Sequence, residues 1–235
     1  MNIYAISDFH LSLGADKPME VFGNHWEKHF DKIKENCSVI KDDDILLIAG
    51  DVSWATYLAH AIEDFSFINS LPGRKIISKG NHDYWWETLT KQYNFLSENN
   101  FSDIDFIHNN SYVFGPEAHK ATGVVQKSIG ISAGDVAICG AKGATTADEA
   151  KIYNREQERL KLSLKSANDI KTKIVMLHYP PDESFREILK EFDVSICIYG
   201  HIHNNFNGKL PDEIDGIKYY LTSCDYLNFK PIKIL

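Results

Sequence analysis

Five short segments concentrate the residue types that hold metal ions and move protons. They are Asp8-Phe9-His10, Gly50-Asp51, Gly80-Asn81-His82-Asp83, the isolated His178, and Gly200-His201-Ile202-His203. Asp8, His10, Asp51, Asn81, His178, His201 and His203 together offer two carboxylates, an amide oxygen and four imidazoles, a donor set suited to two adjacent divalent cations. Carboxylate oxygen mixed with imidazole nitrogen fits Mn, Fe, Zn or Co better than Ca, which prefers all-oxygen shells. A carboxylate can bridge two ions, and Asp51, between the two ligand groups, is the natural bridge. Two such ions ~3.5–4 Å apart lower the pKa of a shared water and clamp phosphoryl oxygens during in-line displacement. The chemistry expected is hydrolysis at phosphorus.

Each segment stands at or just past the end of an apolar run. Ile3–Ser7, Ile45–Ala49, Lys75–Ser78, Val136–Cys139, Ile174–Leu177 and Val194–Tyr199 read as buried strands bounded by Gly or polar residues. Helical stripes lie between them. Trp26, Phe30, Ile33 and Cys37 share a face, as do Trp54, Leu58, Ala61, Phe65 and Ile68, then Leu89, Tyr93 and Leu96. Tyr153, Gln157, Leu160 and Leu164 form a further stripe, followed by Phe185, Ile188, Leu189 and Phe192. Strand–helix alternation implies an α/β layered fold, in which ligands bind beyond the carboxyl ends of the strands. Five strand ends therefore deliver polar residues to one rim. Glycines before Asp51, Asn81 and His201 let the backbone pass close to bound ions. Near the C-terminus, Lys218–Thr222 and Phe229–Ile234 look like a closing hairpin or meander at a sheet edge. Ile104–Ile107 and Tyr112–Phe114 look able to pair with each other, and Gly115–Asp135 has no clean period.

At 235 residues, 43% hydrophobic, with no repeat or linker, the chain reads as one domain over 1–235. A net charge of −8 and only four arginines argue against a nucleic-acid partner and against an arginine-built phosphate clamp. Cys37, Cys139, Cys197 and Cys224 are far apart, which favours a reducing compartment. The N-terminus lacks the basic n-region of a signal peptide, and no apolar run approaches the ~20 residues of a membrane span. A soluble, cytoplasmic protein with no membrane partner is expected.

The five motifs, in this order over positions 8 to 203, resemble the calcineurin-like metallophosphoesterase superfamily, whose pattern is Asp-x-His, Gly-Asp, Gly-Asn-His-Glu/Asp, His and Gly-His-x-His. The resemblance implies a four-layer α-β-β-α sandwich with mixed sheets. It implies Asp8, His10, Asp51 and His203 as ligands of one ion, and Asp51, Asn81, His178 and His201 as ligands of the other. His82 matches the outer-shell histidine expected to act as general acid. A dinuclear-metal-dependent phosphoesterase follows, in which a metal-bridging hydroxide attacks a small phosphodiester, nucleotide or phosphomonoester. Nuclease, lipid-linked pyrophosphohydrolase and non-catalytic scaffold are the alternatives within the superfamily. One departure is clear. Protein Ser/Thr phosphatases of the superfamily continue Gly-Asp with a further Asp and Arg. Here the run is Gly50-Asp51-Val52-Ser53-Trp54-Ala55-Thr56, which argues against that type and leaves His82 without an evident orienting acid.

Three residues stand as candidates for touching substrate. Trp54 and Trp86 flank the motifs and can serve as core or as a stacking platform. Arg155 can grip phosphate or belong to a solvated, ion-paired helix face. His25 falls in the Leu11–Trp26 segment, where a substrate-facing lid has room, and Asn204 and Asn205 follow the last motif. His29, His60, His108 and His119 read as surface or packing residues.

Overall fold

A computed structural model describes residues 1–115, 135–203 and 212–235. His119, Asn204 and Asn205 lie outside the described residues. Two mixed β-sheets face each other. The first contains β1 (Ile3–Ala5), β2 (Ile45–Ile48), β3 (Arg74–Ile77), β4 (Ile104–Phe106) and, at the far end of the chain, β11 (Ile232–Lys233), in the order β11-β1-β2-β3-β4. The second contains β5 (Tyr112–Phe114), β6 (Val136–Gly140), β7 (Thr172–Leu177), β8 (Ile196–Tyr199), β9 (Glu213–Ile214) and β10 (Ile217–Leu221), in the order β5-β6-β7-β8-β10-β9. Helices α1 (His29–Cys37), α2 (Ile62–Ser70) and α3 (Leu89–Glu98) belong to the first half, and α4 (Ala150–Lys165) and α5 (Glu183–Glu191) to the second.

Period-two alternation decides the layering. In β2 all four residues are buried, with Ile45 and Leu47 facing the other sheet and Leu46 and Ile48 facing helices. The inter-sheet core interleaves Ile3, Ala5 and Ile76 of one sheet with Ile138, Ile174, Met176 and Ile198 of the other. On the outer face of the first sheet, Leu46, Ile48 and Ile77 pack with Ile33, Phe65, Ile68 and Phe95. On the outer face of the second, Val175, Leu177 and Cys197 pack with Leu160, Leu164, Phe185 and Leu189. The result is helix, sheet, sheet, helix, the expected four-layer sandwich. Strands covered on both faces read as continuous apolar runs, which is why they were plain in the sequence.

Three local expectations are corrected. The helical stripe from Trp54 does not begin a helix: residues before Ile62 form loop and a 3₁₀ turn at Leu58–His60, and Trp54 stands apart from α2. Ile104–Ile107 and Tyr112–Phe114 do not pair, because β4 closes the first sheet while β5 lies antiparallel to β6 in the second. The C-terminal strands do not form a hairpin: β10 pairs with β8 and β9, whereas β11 crosses to β1. A short loop between two apolar runs carries no information about which sheet each run joins.

The register fixes the rim. β1, β2, β3 and β4 run parallel, with Ala5 opposite Leu47 and Leu47 opposite Ile76, so their carboxyl ends are level. β6, β7, β8 and β10 are parallel too, with Leu177 opposite Tyr199.

Candidate metal centre

Because the parallel strands end together, Asp8, Asp51 and Asn81 leave the first sheet on the same edge at which His178 and His201 leave the second. Two backbone devices bring them closer still. Asp8, His10, Asp51 and His201 all adopt positive φ, between 47° and 68°, a conformation that costs an L-residue energy and persists only where surroundings enforce it. Gly80 and Gly200 supply clearance: a Cβ on Gly80 would overlap the Asp51 carboxylate, and one on Gly200 would overlap that of Asp8.

The donors form two groups. Asp8, His10 and His203 place one ligating atom each within 4.8 Å of one another, and so do Asp8, Asp51 and His178. Asp51 Oδ2 stands 3.8 Å from His10 Nε2 and 3.4 Å from His178 Nε2, between a member of each group. It is buried and no hydrogen-bond donor is directed at it. The amide oxygen of Asn81 lies 2.6 Å from His178 Nε2 and 3.0 Å from His201 Nδ1. All seven sequence candidates thus converge, and a buried carboxylate oxygen left without a donor is what a cation between the groups would satisfy. The residues present fit a pair of divalent ions.

Outer contacts aim several of these donors. His178 Nδ1 is 3.0 Å from the Ala49 carbonyl oxygen, so a proton on Nδ1 leaves Nε2 as the donor to a cation. His203 Nδ1 is 3.0 Å from buried Asp225 Oδ1, with the same consequence. Asp8 accepts the Ser7 hydroxyl and the His201 amide. Asp83 is fully buried and gathers the backbone N–H groups of Gly80, Asp51 and Val52 together with Trp85 Nε1, at 2.7–3.0 Å. It ties the second motif to the third.

Electrostatics follow from burial and proximity. Burial pushes His10 down to about 3 and His201 down to about 4, so both are neutral donors at pH 7. Burial also opposes charge on His178, but the Asp51 and Asp8 carboxylates outweigh it and lift the imidazole to about 9. Against its own desolvation, Asp51 is held below the usual carboxylate range, chiefly by His178. Burial, reinforced by the Asp51 charge, raises Asp83 to about 6.

His82 sits on the open side. Its backbone N–H donates to Asp51 Oδ1 at 2.8 Å, and its ring is 5.7 Å from His10 and 4.7 Å from Trp54 between centroids. Its Nδ1 is buried without a hydrogen-bond partner, so among the described residues no acid orients it. Trp54 stacks on His10 at 4.9 Å and 24°. Trp86 turns instead to His108, stacked at 10° and donating Nε1 to Nδ1 at 3.2 Å. Arg155, its side chain half exposed, stands 3.6 Å from Glu156, which also pairs with Arg159. His25 reaches the cavity beside the site, on a pair of 3₁₀ turns at Met19–Phe22 and Asn24–Trp26.

Two contributors carried no role in the sequence reading. Asp83 was visible within the third motif, and an acid directly after the histidine was its signal. Asp225 gave none: it arrives 22 residues after His203, from the turn between β10 and β11.

Residues 1–205 match the calcineurin-like phosphoesterase family. The chain belongs to that family. That membership and the donor groups above accord with a metal-dependent hydrolase. Solved structures share the fold. The TT1561 protein of Thermus thermophilus superposes with a TM-score of 0.59 at 12% identity, over 98% of this chain and 96% of that one. A protein of unknown function from Aquifex aeolicus gives 0.52 at 18% identity, covering 99% and 95%. Phosphopantetheinyl hydrolase from Mycobacterium tuberculosis gives 0.52 at 11% identity, covering 100% and 95%. A comparison with curated proteins returns no match. Among the described residues no helix is long and apolar enough to cross a membrane.

Proposed function

We propose that this chain is a single-domain, dinuclear-metal-dependent phosphoesterase that hydrolyses a small phosphodiester, nucleotide or phosphomonoester. The observation that carries the reading is the buried, donorless Asp51 Oδ2 set between His10 and His178. Asp8, His10, Asp51 and His203 would hold one ion, and Asp51, Asn81, His178 and His201 the other. When bound, such a pair supplies Lewis acidity, activating water as a nucleophile and offsetting charge on the phosphoryl oxygens.

The chain's own groups then have defined tasks. Neutral His10 and His201 keep their lone pairs available at pH 7 because burial disfavours their protonation. Asp225 and the Ala49 carbonyl engage Nδ1 of His203 and His178, so that displacement of the Nε2 proton would leave Nε2 to present to a cation. His82, anchored through its backbone to Asp51, stands beside His10 and facing solvent, where it can protonate the leaving oxygen. Family membership supports the phosphoester chemistry. The acidic chain, with its four arginines, supports a small-molecule substrate over nucleic acid, and a cytoplasmic setting accords with four reduced cysteines.

The test is turnover by Mn-reconstituted protein on a chromogenic phosphomonoester, a phosphodiester and a phosphonate ester, each with and without chelator. Chelator-sensitive cleavage of at least one is expected. Protein that holds two metals per chain and cleaves none would overturn the reading.

A further inference from the structure

The open side of the metal centre continues into a cavity of about 370 Å³. Its floor is formed by His10, His82 and His203, so it is continuous with the place where a phosphoryl group would meet the proposed ligands and general acid. Its walls are Met19, Phe22, Trp26 and Trp54. Three come from or adjoin the 3₁₀ turns after the first motif, and Trp54 follows the second motif.

The walls are apolar in a specific way. An indole usually brings one hydrogen-bond donor to a pocket, but Trp54 Nε1 is engaged by Met19 Sδ at 3.2 Å. The Trp54 ring lies over His10, which fuses the apolar wall to the floor. Trp26 is 2% exposed and held edge-on by His29 and Phe229, so its position is set by packing. Among the described residues His25 and Asp225 add polar groups to the lining beyond the floor, Asp225 turned to His203, and the Lys17 ammonium lies over the Trp54 ring at 4.8 Å. A cavity that recognised a base or a sugar would direct several donors and acceptors inward, because selectivity for polar groups comes from hydrogen bonds that fail with the wrong ligand. The Met19, Phe22, Trp26 and Trp54 walls of this one offer mainly carbon and sulfur. Phe22 is 64% exposed at its rim, with Val21 beside it 74% exposed, so apolar surface continues outward from the cavity.

We propose that the organic group of the substrate is uncharged and hydrocarbon-rich, an aryl ring or a short alkyl or acyl chain, seated against Met19, Phe22, Trp26 and Trp54 while its phosphate meets the metal centre. This rests on the phosphoesterase reading for the position of the phosphate alone. Selection would come from shape and water exclusion rather than from hydrogen bonds.

Binding can be measured without turnover. Methyl-, phenyl- and n-hexylphosphonate, whose carbon–phosphorus bond ester hydrolysis does not cleave, are titrated into Mn-loaded protein and followed by calorimetry. The apolar phosphonates are expected to bind more than about tenfold tighter than methylphosphonate, the scale set by at least partly burying the five additional carbons. Phe22→Asp, at an exposed position, and Met19→Lys should each bring that ratio close to one. A preference for phenyl over hexyl identifies the aryl form, and the reverse identifies the chain form; either supports the inference. Equal affinity for all three, no binding of any, or a ratio unchanged in both variants overturns it. The two readings fail separately. Ester cleavage without apolar preference removes the pocket assignment and keeps the phosphoesterase. Apolar preference in a protein that cleaves no ester does the opposite.

Discussion

Asp51 shows how much one side chain is asked to do. One oxygen accepts the His82 amide, and the other lies donorless between His10 and His178. Asp51→Asn keeps the shape but halves the donor capacity toward a cation, and it should lower kcat/KM by about 10³-fold or more with the fold intact. Activity within a few-fold of wild type would remove Asp51 from the mechanism. Asp225 acts at one remove, through the imidazole of His203. Asp225→Asn should weaken metal retention by about 10–100-fold, read from bound Mn after dialysis, while circular dichroism stays unchanged. His82→Gln separates chemistry from assembly: two metals should remain bound while kcat falls by about 10²–10⁴-fold. The motif residues were legible because their types are rare in such an arrangement. Asp225 was not, because nothing local marks a buried carboxylate that meets its histidine across a turn.

At the scale of elements, the loops after β1, β2 and β8 hold strained backbone, and glycine makes room for it. Gly200→Ala should destabilise by about 1–3 kcal/mol and lower metal affinity, because the new methyl group competes with the Asp8 carboxylate for space. Unaltered denaturation and metal content would show that the loop yields. The N-terminus of α1 carries a separate, pH-dependent feature. His29 is buried, its Nδ1 3.2 Å from the Trp26 carbonyl oxygen. Burial holds its pKa below 6.5, against that hydrogen bond, nearby Glu20 and the Phe9 backbone. The unfolded chain therefore takes up a proton that the folded chain resists. Stability from this residue is complete above pH 6.5 and is lost as pH falls from there toward the folded value. In chelated protein, the denaturation midpoint of His29→Phe should fall less between pH 6.5 and about 5 than that of wild type; parallel curves would refute the assignment. Helices read well where the stripe falls within the element or at its cap, as in α4 and α5. The stripe at Trp54 failed because Trp54 itself is drawn to the metal side, stacked on His10, and periodicity cannot register such a pull.

Across the whole molecule, the sandwich is held by an inter-sheet core to which both halves of the chain contribute. Met176→Ala, at its centre, should cost about 2–5 kcal/mol and shift the entire unfolding transition rather than split it, as one cooperative domain requires. A biphasic transition would show two independent units. Metal should add to that stability, since ions bound to both sheets favour the folded state, and chelator should lower Tm. The sequence alone indicated the candidate donors, the five strand ends that bear them, the layered α/β class and the residues absent from the second motif. Those features are local: they depend on residue type, short spacing and the period of apolar runs. Tertiary structure decided the rest. It separated β4 from β5 and β10 from β11, because strand partners are chosen by packing across the molecule. It supplied Asp225, drew four site residues into positive φ, and closed Met19, Phe22, Trp26 and Trp54 around one cavity. Each of these depends on contact between segments that no local pattern places together.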